Sequence, residues 1–95
     1  MLVHLVSFKY KPETDAATRE QHRTRLAALK GLDGVTDLKV GADVVRSPRS
    51  YDTGLFVTFT DRAALDKYQT DDRHVPVATF GVSICEQIVA VDFEI

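Results

Sequence analysis

A single cysteine, Cys85, is all the thiol this chain has, so an internal disulfide is excluded. No CxxC pair or Cys/His zinc spacing exists either. This poverty fits a reducing, cytoplasmic compartment. A basic excess is also missing: 12 Lys and Arg stand against 14 Asp and Glu, a formal net charge of −2, with the signs mixed along the chain. Nucleic-acid binders normally carry a basic stripe, and two loop arginines, Arg46 and Arg49, are too few to track phosphates. No apolar run approaches membrane-spanning length. The apolar opening over residues 1–10 is too short for a signal h-region plus cleavage site, and it alternates as a strand does. Neither a nucleic-acid nor a membrane partner is expected. Repeats, linkers and low-complexity stretches are absent too, which leaves one domain over residues 1–95.

What is present is ordinary for a folded chain, with 44% hydrophobic and 27% charged residues arguing against disorder. Ninety-five residues lie near the low end of what buries its own core. Residues 2–10 read as a strand with His4, Val6 and Phe8 on one face and Val3, Leu5 and Ser7 on the other. A helix follows, capped near Thr14 or Asp15 and running to about residue 30, with His22, Leu26 and Leu29 on one stripe. Gly31 and Gly34 are its stop signals. Residues 35–42 form a second strand, with Leu38 and Val40 inward and a bulge or close approach expected at Gly41. Residues 51–60 form a third, with Leu55, Val57 and Phe59 on one face and Phe56 and Thr58 on the other. Asp61 caps a short helix to about residue 71, a second short helix covers residues 74–82, and a last strand spans residues 85–94.

The order is β-α-β-β-α-β, an α+β ferredoxin-like fold with a four-stranded antiparallel sheet and its helices on one face. Two helical segments shelter only one side of that sheet. Yet Leu5, Phe56, Val89, Val91 and Phe93 make the other side apolar as well. At ~25 cal/mol per Å² of apolar surface, leaving that face in water forfeits several kcal/mol. A two-fold homodimer, sheet against sheet, buries it most simply.

The opening HLVSFKY, the SPRSYD stretch, DKYQTDDRHV and the closing IVAVDFE together resemble the stress-responsive dimeric α/β-barrel (Dabb) family. The strongest marker is Tyr68 followed six residues later by His74, after the strand histidine His4. The resemblance implies a homodimer and a cavity between sheet and helices. Residues expected to line it are Val6, Phe8, His22, Leu26, Leu38, Leu55, Val57, Val77, Cys85 and Ile88. Similarity to plant polyketide cyclases of the olivetolic-acid type implies catalysis without metal or organic cofactor. Their catalytic histidine and tyrosine fall on His74 and Tyr68, and their strand-one histidine on His4. Their bulky aromatics on the first helix are replaced near His22 and Leu26, and an aromatic before the last strand corresponds to Cys85, so the pocket has a different shape.

Histidine titrates near ~6.5 and can take and return a proton at neutral pH. The last strand runs antiparallel beside the first, which puts Asp92 close to His4, where a carboxylate can orient an imidazole as general base. The resemblance implies His74 as base and Tyr68 as donor to a developing enolate, in aldol- or Claisen-type closure or another proton transfer beside a carbonyl. A plainer reading makes His4 a strand histidine bonded to Asp92, His74 a helix-terminal element, and Tyr68 core packing. Cys85 reads as a small buried apolar residue, with no basic neighbour to activate it. His22 either faces the cavity, where three imidazoles would converge on a divalent ion, or lies at the solvent edge. No HxH or HxxxH pair exists, and no metal is expected. The alternatives to a cofactor-free enzyme are a non-catalytic stress or ligand-binding dimer and a cofactor-independent monooxygenase of the related antibiotic-biosynthesis barrel family.

Overall fold

The computed structural model describes all of residues 1–95. Strand β1 (Leu2–Tyr10) leads into α1 (Ala16–Ala27), followed by a 3-10 turn (Ala28–Gly31), β2 (Val35–Ala42) and β3 (Thr53–Phe59). Helices α2 (Arg62–Thr70) and α3 (His74–Ile84) then return the chain to β4 (Cys85–Glu94). The four strands lie in the order β2-β3-β1-β4, every pair antiparallel. This is the ferredoxin-like α+β arrangement, with the second crossover built from two helices. No helix is long and apolar enough to cross a membrane.

Both longer crossovers open on an aspartate. Asp15 accepts from the Thr18 N–H at 2.8 Å and Asp61 from the Ala64 N–H at 2.9 Å, each satisfying a donor that the helix itself cannot pair. Three boundaries and one bulge differ from the sequence expectation. α1 ends at Ala27 and tightens into the 3-10 turn instead of continuing to residue 30. Residues 51 and 52 precede β3 because Asp52 is committed elsewhere: its carboxylate accepts from the Tyr10 N–H and the Arg46 guanidinium. α3 runs two residues past Val82 to Ile84 and passes straight into β4. Gly41 pairs in register with Gly54, and the shifts in register fall instead between Val35 and Asp37 and between Lys9 and Tyr10. Gly34 does the turning, at φ +86°, a conformation that costs an L side chain most.

Strand parity sets the layers. On the inner face His4 stands beside Val57 and Asp92, Val6 beside Leu55 and Ala90, and Phe8 beside Ile88. Val57 and Phe59 are fully buried there against Leu26, Leu29, Leu65 and Tyr68 from the helical layer. The outer face has no helix. Val89, Val91 and Phe93 are 48%, 56% and 42% exposed on it, beside half-buried Leu5 and Phe56.

Candidate functional site

A cavity of about 200 Å³ lies between the inner face of the sheet and helices α1 and α3. His4 and His74 both stand in its wall. His4 arrives by strand alternation, and the antiparallel register sets Asp92 directly opposite. The His4 Nδ1–H donates to an Asp92 carboxylate oxygen. A carboxylate accepts, so Nδ1 carries the hydrogen and Nε2 keeps its lone pair. His4 is buried, while the Asp92 side chain is partly open to solvent.

His74 reaches the same cavity as the first residue of α3. Its Nδ1–H donates to the Gln69 carbonyl at 3.1 Å, which again leaves Nε2 bare. Burial pushes the His74 pKa below the ordinary histidine value, and the charge a proton would place on His4 acts in the same direction. The Gln69 carbonyl and Asp71 oppose the shift without cancelling it. The two imidazoles thus present two lone pairs to one small space, with a proton on one disfavouring a proton on the other.

Tyr68 lies behind them. Its ring centroid is 4.4 Å from that of His74, 5.0 Å from Phe59 and 6.4 Å from His4. It is 1% exposed, and its hydroxyl is buried without a hydrogen-bond partner. Burial pushes its pKa up to about 12, so the hydroxyl keeps its hydrogen at any physiological pH. It contacts the histidines and forms no part of the cavity wall.

Among the apolar residues expected in the wall, Val6, Phe8, Leu26, Leu55, Val77 and Ile88 are there, together with the ring of His22. Leu38, Val57 and Cys85 are not. Leu38 and Val57 pair with each other across β2 and β3 and fill the core, and Cys85 sits at the far end of β4 opposite Tyr10. Burial holds the Cys85 thiol protonated, its pKa raised to about 11. Three wall residues escape the sequence reading: Gln69, Ala78 and Val82. The last two follow His74 at i+4 and i+8, a spacing visible in HVPVATFGV.

The solvent-edge alternative for His22 is corrected by its burial, 0% exposed. Tyr10, Thr53 and Arg23, drawn from three elements, close over its Nδ1 side. No three His, Cys, Asp or Glu side chains are grouped closely enough to hold a metal ion. A wider, shallow hollow occupies the outer sheet face around Leu5, Gly41, Gly54 and Phe56. Lys39 is its one charged residue, and none of the groups suited to proton transfer reaches it.

The Stress responsive A/B Barrel Domain family model matches residues 2–95. No curated protein matches the chain. Solved structures do. A dimeric ferredoxin-like protein of unknown function from Thermobifida fusca superposes with a TM-score of 0.91 at 20% identity, covering 99% of this chain and 90% of that one. A dimeric ferredoxin-like protein of unknown function from Jannaschia is 29% identical, with a TM-score of 0.83 over 99% of this chain and 98% of its own. A hydroxynitrile lyase from Passiflora edulis reaches a TM-score of 0.89 at 18% identity, over 99% and 92% of the two chains. With nearly every residue inside the match and the strand order, crossovers and cavity as described, the chain belongs to the stress-responsive A/B barrel (Dabb) domain family.

Proposed function

We propose that this protein is a homodimer, joined through the outer faces of its sheets, in which each copy binds a small carbonyl compound and moves a proton beside that carbonyl without a cofactor. The observation that carries the catalytic half is the pair of imidazoles at one cavity, each with Nδ1 engaged and Nε2 bare. His4 is the base. Asp92 orients it and stabilises the imidazolium that forms, the relation of base to orienting carboxylate that general-base catalysis uses. His74, neutral at neutral pH, is the second site for the proton. Tyr68, buried behind the two rings and outside the cavity wall, is a positioning residue that packs against both imidazoles. The carbanion so formed attacks a second carbonyl, as in aldol- or Claisen-type closure; in the reverse direction the base takes a hydroxyl proton, the carbon–carbon bond breaks to release a carbonyl, and the carbanion left behind takes the proton back.

The cavity's size narrows the ligand. An engineered apolar cavity of ~150 Å³ holds benzene, so about 200 Å³ takes one ring with short substituents and leaves no room for a long folded chain. A lyase-like substrate fits this better than an extended poly-ketone. The dimer rests on the uncovered apolar face and on the dimeric state described for two of the structural relatives.

The test follows deuterium uptake into the methyl group of acetophenone in D₂O by NMR. Wild-type protein is expected to exceed an equal concentration of free imidazole by about 10²-fold or more. His4→Ala should abolish the excess and His74→Ala reduce it, each melting within a few degrees of wild type. Uptake no faster than with imidazole would refute the catalytic reading, and binding without uptake would leave the pocket to a carrier.

A further inference from the structure

A proton taken from beside a carbonyl leaves its bonding electrons on the carbonyl oxygen, and that charge needs a hydrogen-bond donor. The cavity offers very few. Eight of its twelve lining residues are apolar, and the other four are His4, His22, Gln69 and His74. His4 and His74 have given their ring hydrogens to Asp92 and to the Gln69 carbonyl, so their free nitrogens accept until one of them takes the proton. His22 is 0% exposed and its Nε2 abuts Gly81, so it has no face to offer a ligand. The first backbone donors of α3 are spent as well. The His74 and Val75 N–H groups go to the Asp71 carbonyl, and Pro76 has none. Gln69 is the donor that remains.

Its position suits the task. Gln69 is the penultimate residue of α2, exposed, and five residues before His74. It alone lines both the cavity and the open hollow on the other side of the His4–Asp92 pair, where Arg62, Leu65 and Glu94 stand. Asp92 faces that hollow and His4 the cavity, so Gln69 stands at the same partition as the acid–base pair. Its backbone carbonyl holds the His74 ring, whereas its side-chain amide is engaged by no group of the protein. With neither end committed, the amide can turn its NH₂ toward an oxygen without breaking a bond.

We infer that Gln69 is a catalytic residue, its side-chain amide the donor to the substrate's carbonyl oxygen. His4 Nε2 takes the proton, and the C–H electrons pass into the enolate. The Gln69 N–H···O bond shortens as charge gathers on that oxygen, and its hydrogen stays on nitrogen. The ligand then lies with its carbonyl toward α2 and its ring toward Phe8, at the end of the cavity away from His4. This deepens the proposed function and rests on it.

The experiment uses the full chain and acetophenone labelled with carbon-13 at its carbonyl. Gln69→Leu removes the amide but keeps most of the side chain's bulk and the backbone carbonyl that holds His74. Deuterium uptake should fall about tenfold to a hundredfold, short of the ~10²–10³ of a donor fixed in place, because this side chain must first be ordered. The loss should lie in kcat more than in KM, since the bond strengthens as the enolate forms. Isotope-edited infrared spectroscopy reads the bond itself: the carbonyl stretch of the bound ketone should lie lower in wild type than in Gln69→Leu. Gln69→Glu, ionised at neutral pH, offers no donor and sets a negative charge beside the enolate, so it should be slower still. Undiminished uptake in Gln69→Leu, with wild type well above imidazole, overturns this inference and leaves His4 and His74 standing. A slower Gln69→Leu whose bound ketone keeps the wild-type stretch overturns it too, since Gln69 then only positions His74. Wild-type uptake no faster than imidazole overturns the proposed function and this inference with it.

Discussion

Among single residues, His22 links packing to pH most directly. Its folded pKa of about 4 lies below the 6.5 of an exposed histidine, so as pH falls the unfolded chain takes up the proton first. The stability that depends on its neutral form is complete above pH 6.5 and drains away as pH drops toward 4, by about 3 kcal/mol for this shift. His74, shifted in the same direction, adds to the loss. Urea unfolding at intervals between neutral pH and about pH 4.5 should show this slope in wild type and a shallower one in His22→Phe. A wild-type profile flat across that window would contradict the buried neutral ring. The His4–Asp92 pair was legible in the sequence, because strand parity and an antiparallel neighbour together dictate who stands opposite whom. The depth of His22 was not. A helical stripe tells which way a side chain points, whereas its burial depends on Tyr10 and Thr53 arriving from two other strands.

At the level of elements, the connections carry more risk than the strands and helices they join. Gly34 turns the chain from the 3-10 segment into β2 at φ +86°, and a Cβ there would lie 3.0 Å from the Ala64 Cβ on α2. Gly34→Ala therefore combines backbone strain with a clash and should cost about 1–3 kcal/mol, lowering Tm by roughly 5–15 °C for a domain this small. Asp61→Ala, which removes the α2 cap, should cost about 1 kcal/mol in the same melting experiment. A Gly34→Ala protein melting with wild type would mean that this turn relaxes freely. Element types were readable from the sequence because β1 alternates cleanly and both aspartate caps precede apolar periodicity. Wall membership was less so. Leu38 and Val57 share the inward face with Val6 and Leu55, and period-two alternation cannot say which inward residues meet a helix and which meet a gap. In α3 the sequence is apolar nearly all round, so periodicity left its wall-facing side undefined and Ala78 and Val82 went unassigned.

For the molecule as a whole, the uncovered face of the sheet dominates. Counting helices against sheet faces was enough to foresee it, since two crossovers on one side cannot shelter the other. Sedimentation of the wild type should give twice the 10.6 kDa mass of the chain, and Val91→Glu with Phe93→Glu should return it to a single copy. A wild type that runs as a single chain at working concentration would remove the dimer from the proposed function. The ligand's identity, by contrast, was not legible, because it depends on which side chains leave a gap under α3. One last property follows from the joint at Ile84 and Cys85, where helix passes to strand across a single peptide bond. The Ile84 carbonyl is clamped there by the Lys11 N–H at 2.9 Å and the Thr14 hydroxyl at 3.0 Å, so the joint has a fixed length. Inserting one residue after it would advance β4 by half a pleat, turning Asp92 outward and Val91 toward His4. Evolution can respell this corner freely, but it cannot lengthen it by an odd number without taking the carboxylate away from its imidazole.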